Sequence, residues 1–244
     1  KWDVFIINDF LKAFSIIDKN ARILLLTIIG IILGDIFITS FQPNYVLSLD
    51  YYMVNILILF SIILFNSLVL IIIINKTRNT LFNSYLINVS GLLKKLFFKI
   101  LFINLIFSIL ISITGLTSFI GIYLIPIFID LSNNFNIMLP FVWFLTLPCF
   151  IIFIFTANSI IIKQNSIISA LKETFFLLQR ISLKRLVVII IPVGLNLIFM
   201  FTFPFLVLLT SYPAFIYTVI IASCVYLDIT DNKELMSKKI EIPK

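Results

Sequence analysis

The side chains that most often carry catalysis are scarce in this sequence. Histidine is absent, which removes the commonest general base and the commonest metal and haem ligand. There are 2 cysteines, Cys149 and Cys224. Both lie in apolar runs and read as small buried hydrophobes rather than as a disulfide or a metal site. Neither a phosphate-binding Gly-rich loop, nor HExxH, nor G-x-S-x-G occurs. With 6 glycines in the chain, there is little material for phosphate-cradling loops. What remains is one acid and a series of amides inside apolar runs. Asp35 is placed to bind a proton or cation, to pair with another polar group, or to sit near an interface, because ionisable groups in a membrane are costly and often functional. Asn66, Asn104, Asn158 and Asn196 occupy the next four runs and read as hydrogen-bonding glue between helices. Asp228, near the end of the last run, is expected to pair with basic loop residues. No two carboxylates suited to acid/base work share a depth. The expectation is a protein that is not an enzyme, with no catalytic residues, no cofactor and no metal.

The elements that hold these residues follow from composition. Of 244 residues, 61% are hydrophobic, 12% charged and 15% aromatic, against about 45–50% apolar and about 25% charged in a soluble domain. No water-soluble core hides that much apolar surface, so residues 1–244 read as a single all-α, polytopic integral membrane domain. Disordered chains and nucleic-acid-binding domains are excluded. A spanning helix needs about 20 apolar residues, and six runs qualify: about 22–41, 53–75, 97–129, 137–162, 186–210 and 213–229. The third is too long for one untilted span, so a break or bend is expected after Gly115. Pro140 and Pro148 fall in the fourth and Pro192 and Pro204 in the fifth. A turn at Ser211-Tyr212-Pro213 is expected to open the sixth.

The 18 Lys and Arg residues gather in the N-terminal segment, the second and fourth connections and the C-terminal tail. The connections 42–52, 130–136 and 211–212 hold none. Basic loops stay cytoplasmic, so an even number of crossings with both termini cytoplasmic accounts for the segregation, and for the formal charge of +7 without nucleic acid. The sequence begins at Lys1 rather than Met, as expected if residues precede it.

Three segments on the basic side are amphipathic. Residues 167–180 place Ile167, Ile168, Leu171, Phe175 and Leu178 on one helical face, with Asn165 or Ser166 as N-cap. Residues 4–17 repeat the spacing through Ile6, Phe10, Phe14 and Ile17, and residues 81–93 do so more weakly. A shift of 85 positions aligns Ser84 with Ser169, Leu86 with Leu171, Leu92-Leu93 with Leu177-Leu178, Lys95 with Arg180 and Lys99 with Lys184. The chain therefore reads as three units, each a surface helix plus a pair of spans. Such helices lie in the membrane interface, apolar side toward the acyl chains and Lys or Arg toward anionic headgroups. Lys94, Lys95, Lys99, Arg180, Lys184 and Arg185 are the candidate contacts to headgroups or to a partner.

Residues 148–190 carry a Pro-opened helix, then Ser166, Ala170, Leu171, Lys172, Thr174, Leu177, Leu178 and Arg185, and another apolar run. The pattern resembles the membrane domain attached to some glycerophosphodiester phosphodiesterases and related stand-alone six-span membrane families. Val225-Tyr226-Leu227-Asp228 resembles the aromatic-x-Asp ending of such domains. The resemblance implies a six-span bundle with interfacial helices acting in lipid or envelope processes. It implies no phosphodiesterase activity, because the soluble barrel of that family is absent, and it supplies no catalytic residue.

The functional expectation is a non-enzymatic, multi-pass cell-membrane protein, an accessory subunit or lipid-interacting scaffold. Its partners would be membrane lipids, anionic headgroups at the cytoplasmic face and other membrane subunits. One alternative is a six-span permease subunit of an ABC-type exporter, with residues 76–99 contacting a separate cytoplasmic ATPase. Another is an ion or proton pathway at Asp35.

Overall fold

The computed structural model describes the backbone at residues 11–22, 25, 29, 49–82, 89–124, 135–202 and 207–240. Side chains are described at 11–22, 25, 29, 60–81, 91–114, 116–117, 145–195 and 213–230. Every element among them is helical. These are α1 (11–22), α2 (Leu49–Phe82), α3 (Val89–Leu124), α4 (Phe135–Lys163), α5 (Ile167–Leu178), α6 (Leu183–Thr202) and α7 (Val207–Ile240). Four segments are long and apolar enough to cross a membrane: Phe60–Leu81, Gly91–Thr114, Leu145–Lys163 and Pro213–Thr230. The chain is thus a multi-pass membrane protein by the length and composition of its helices. Asp35, most of the run 22–41 and residues 4–10 lie outside the described residues.

Helix direction follows from the contacts. Asn104 on α3 meets Ile63 and Ser67 on α2, and Phe107 on α3 meets Phe153 on α4. Lys95, near the start of α3, meets Gln164, just past the end of α4. So α2, α3 and α4 run antiparallel in turn. Phe150 meets Phe215 and Phe155 meets Tyr226, which makes α7 parallel to α4. The core is the enclosed part of α4 between Ile151 and Ile161, with Leu70, Ile71, Ile73 and Ile74 from α2, Leu96, Ile100 and Ile103 from α3, and Ile220 through Tyr226 from α7. Helix α4 packs against α2, α3, α5 and α7, whereas the main neighbour of α6 is α7.

Three expectations are corrected. Helix α3 is one unbroken helix of 36 residues through Gly115 to Leu124. At 1.5 Å per residue this is about 54 Å, well over the hydrocarbon thickness of about 30 Å, a length that tilt or protrusion accommodates without a break. Helix α7 starts at Val207 and carries Pro213 within it, so Ser211-Tyr212-Pro213 is helical; 203–206, with Pro204, lie outside the described residues. Pro213 is tolerated because the bond it removes is one among many in a spanning helix. The described part of 81–93 is no separate surface helix: Leu81 and Phe82 end α2, 89–93 open α3, and 83–88 lie outside the described residues.

Candidate functional site

One end of the bundle collects the charge. The ends of α2, α4 and α7, the starts of α3 and α6, and the short helices α1 and α5 meet there. Among the described side chains, Asp18, Glu173 and Asp228 are the carboxylates, and all of the Lys and Arg residues lie with them at this end. Asp228 accepts from Lys12 Nζ at 3.0 and 3.2 Å, and Arg185 Nη2 stands 3.9 Å away. The expected pairing of Asp228 with basic residues is therefore present. Asn20 donates to Thr80 Oγ1 at 3.0 Å, tying α1 to the end of α2.

The densest group is one the sequence reading passed over. Glu173, on α5, takes the Ser159 hydroxyl at 2.6 Å, Asn165 Nδ2 at 2.9 Å and Lys163 Nζ at 2.7 Å. Asn165 Nδ2 also donates to Ser159 Oγ at 3.0 Å. Thr156 and Thr174 hydroxyls lie 3.2 Å apart across the same seam. The Tyr226 hydroxyl is buried beside Ser159 and Glu173, in a geometry that falls short of a hydrogen bond. Burial alone would raise the Glu173 pKa. The hydrogen bonds from Lys163 and Ser159, the Lys163 charge and the nearby Tyr226 hydroxyl outweigh it, and the carboxyl sits below its ordinary 4.5. It is a fixed anion with its lone pairs in use, suited to positioning a helix.

Local sequence builds this arrangement. Helix α4 ends at Lys163, and Gln164 turns the chain with φ 56, the left-handed conformation common just past a helix C-terminus. Ser166 then caps α5, its hydroxyl accepting from Ser169 N–H at 3.3 Å, as the sequence suggested. Helix α5 is turned differently from expectation. It sets Ala170, Thr174 and Leu177 against the bundle, with Glu173 beside them. Its predicted apolar face is split: Ile167, Leu171 and Leu178 pack at the edge of the core, while Ile168 and Phe175 are 69% and 53% exposed. The polar pairs on α4 decide the rotation, since a half-buried carboxylate and a buried hydroxyl need partners more than an apolar side chain at a membrane surface needs cover. Helix α1 shows the same shift, burying Ala13 and Ile16 and exposing Phe14.

The intramembrane amides have three fates. Asn104 is glue in the expected sense: its Nδ2 donates to Ile63 O at 3.1 Å and to Ser67 Oγ at 3.0 Å on α2. Asn158 instead donates within its own helix, to Ile154 O at 2.9 Å, and its buried Oδ1 has no hydrogen-bond partner. Asn66 is half-buried, and its neighbour Ser67 makes the contact across to α3. The Asn196 side chain lies outside the described residues. Of the predicted basic contacts, Lys95 donates to Gln164 Oε1 at 2.6 Å, Arg185 faces Asp228, and the Arg180 guanidinium lies 3.8 Å over the Phe176 ring. Lys94 is exposed, and Lys99 and Lys184 are half-buried. No group of three His, Cys, Asp or Glu side chains that would hold a metal occurs among the described residues. Neither Cys149 nor Cys224 is in a disulfide.

Comparison of the chain with protein-family models, curated proteins and solved structures finds no match.

Proposed function

We propose that this is a non-enzymatic membrane scaffold or accessory subunit that works through contacts with anionic lipids and neighbouring membrane subunits. Six crossings place both termini and the basic end on the cytoplasmic side of the cell membrane. The observation that carries the reading is the confinement of the described charged side chains to one end of an apolar bundle. There Glu173 and Asp228 are already paired, which leaves a large excess of positive charge. Such a surface is attracted to anionic headgroups by about 1 kcal/mol per Lys or Arg near the membrane. A crossing at 22–41 is supported by the contact of α1 with Thr80, because α2 begins 31 residues before that contact and the chain between α1 and α2 has that length to cover. The resemblance of residues 148–190 to the phosphodiesterase-linked membrane domains agrees with this architecture and is proposed with it.

Two measurements test the reading. Single cysteines placed at position 94 and in the C-terminal tail are expected to react with an impermeant reagent only after the membrane is opened from the cytoplasmic side; labelling of the two on opposite faces overturns the topology. Gentle detergent extraction is expected to yield the chain with anionic lipid or a membrane subunit. Recovery with a stoichiometric soluble ATPase would replace the scaffold by a permease.

A further inference from the structure

We propose that the exposed side of α5 is a binding site for the phosphate of an anionic phospholipid, with Arg180 as its anion-binding group. The proposal rests on the lipid-scaffold reading and gives it a location. Residues Ile168, Lys172, Phe176 and Arg180 succeed one another at intervals of four, so they form one ridge along the helix and into the turn that follows it. All four are exposed. The Arg180 guanidinium lies over the Phe176 ring, at 3.8 Å from the ring centroid. A guanidinium held over a ring keeps its N–H donors for other partners, and such a group can grip a phosphate with two parallel hydrogen bonds. The ring also holds the side chain still, which lowers the entropy lost on binding.

The site lacks an internal anion. Glu173, the nearest carboxylate in sequence, is engaged by Lys163, Ser159 and Asn165. Asp228 is held by Lys12. Neither Lys172 nor Arg180 has a carboxylate partner among the described residues. The surroundings select the kind of anion. Ile168 and Phe175 stand open beside the two cations, and Leu183, just past the turn, is 75% exposed. A free phosphate would leave that apolar surface in water, whereas a phospholipid covers it with acyl chain while its phosphate meets Arg180. The polar lock at Glu173 fixes the rotation of α5 and so presents this ridge to the membrane.

The test uses the full chain in mild detergent, with phosphatidylglycerol and phosphatidylcholine offered together and retained lipid counted by native mass spectrometry. The wild type is expected to retain phosphatidylglycerol in preference. Arg180→Ala is expected to lower that preference about fivefold, the effect of one interfacial cation. Arg180→Lys and Phe176→Leu are expected to lower it as well, because each keeps charge or bulk and removes the stacked plane. Unchanged thermal unfolding of the three variants excludes a folding defect. If the wild type prefers phosphatidylglycerol and all three variants match it, this site is overturned and the scaffold reading stands. If the wild type shows no preference, the scaffold reading falls with it. If soluble glycerol phosphate displaces the lipid from the wild type, the occupant is a free phosphate ester and the phospholipid assignment is overturned.

Discussion

Helices α3 and α4 are hard to tell apart by composition, yet they occupy different surroundings. Helix α4 touches four other helices and is buried on all sides from Phe153 to Ile161. Helix α3 touches α2 and α4 and leaves Phe98, Phe102, Ile109, Ile113 and Leu116 open. In water such a stripe would be driven inward. In lipid, apolar side chains gain nothing by leaving the acyl chains, so packing fit and polar pairs decide which helix is enclosed. The polar side chains are distributed accordingly. Helix α4 brings Thr156, Asn158, Ser159 and Lys163 to its crowded end, and three of these reach α5. Helix α3 reaches its neighbours more sparsely, through Asn104 to α2, Thr114 to Cys149 of α4 at 3.9 Å, and Lys95 to Gln164 at the exposed end.

The sharpest way to break this contrast is to delete one aromatic ring from each helix. Phe155→Ala, at a side chain with 0% exposure, is expected to cost about 3 kcal/mol through the cavity it leaves. Phe98→Ala, at 75% exposure, is expected to stay within about 0.5 kcal/mol. Thermal unfolding in detergent measures both, and equal costs would show that α3 is as enclosed as α4. Next in size, Glu173→Ala removes the lock between α4 and α5 and is expected to cost about 2 kcal/mol, since it strands Ser159, Asn165 and Lys163 together. Acid acts through the same group. The folded pKa is depressed, so the contribution is complete above the ordinary 4.5 and is lost as pH falls through the folded value. Melting temperature is therefore expected to drop in that acid range in the wild type, with a smaller drop in Glu173→Gln.

Smaller again is Asn104→Ala, expected at about 1 kcal/mol in the same melts, the usual scale for a hydrogen bond between membrane helices. If it exceeds Glu173→Ala, α3 is the more strongly tied helix and the comparison is reversed. The least effect is expected from Lys95→Ala, whose contact with Gln164 is exposed; a loss above about 0.5 kcal/mol would mark that link as structural.

Much of the architecture was legible in advance because its cause acts along the chain. Runs of apolar residues mark helices, and the clustering of Lys and Arg marks the end where α1, α5 and the helix termini meet. Ser166 was readable as a cap because a hydroxyl before an amphipathic run satisfies open N–H groups. The paired Asp228 was readable because a carboxylate at that end has cations within reach. Other features escaped for equally physical reasons. Spacing marked Asn66, but one step of helix rotation hands the contact to Ser67. Glu173 and Ser159 gave no signal, since a carboxylate on a surface helix is ordinary until a hydroxyl on another helix is placed against it. The turn expected at Ser211-Tyr212-Pro213 was misplaced because proline is a weaker helix breaker inside a membrane than in water.

Composition and periodicity, acting residue by residue along the chain, thus determined that this is a bundle of apolar helices with its positive charge at one end. Only the tertiary structure decided which helix is enclosed, which way α5 is rolled and which carboxylate locks it. Those outcomes depend on hydrogen bonds between helices remote in sequence. In a solvent as apolar as the side chains themselves, such bonds, together with close packing, are what favour one arrangement over another.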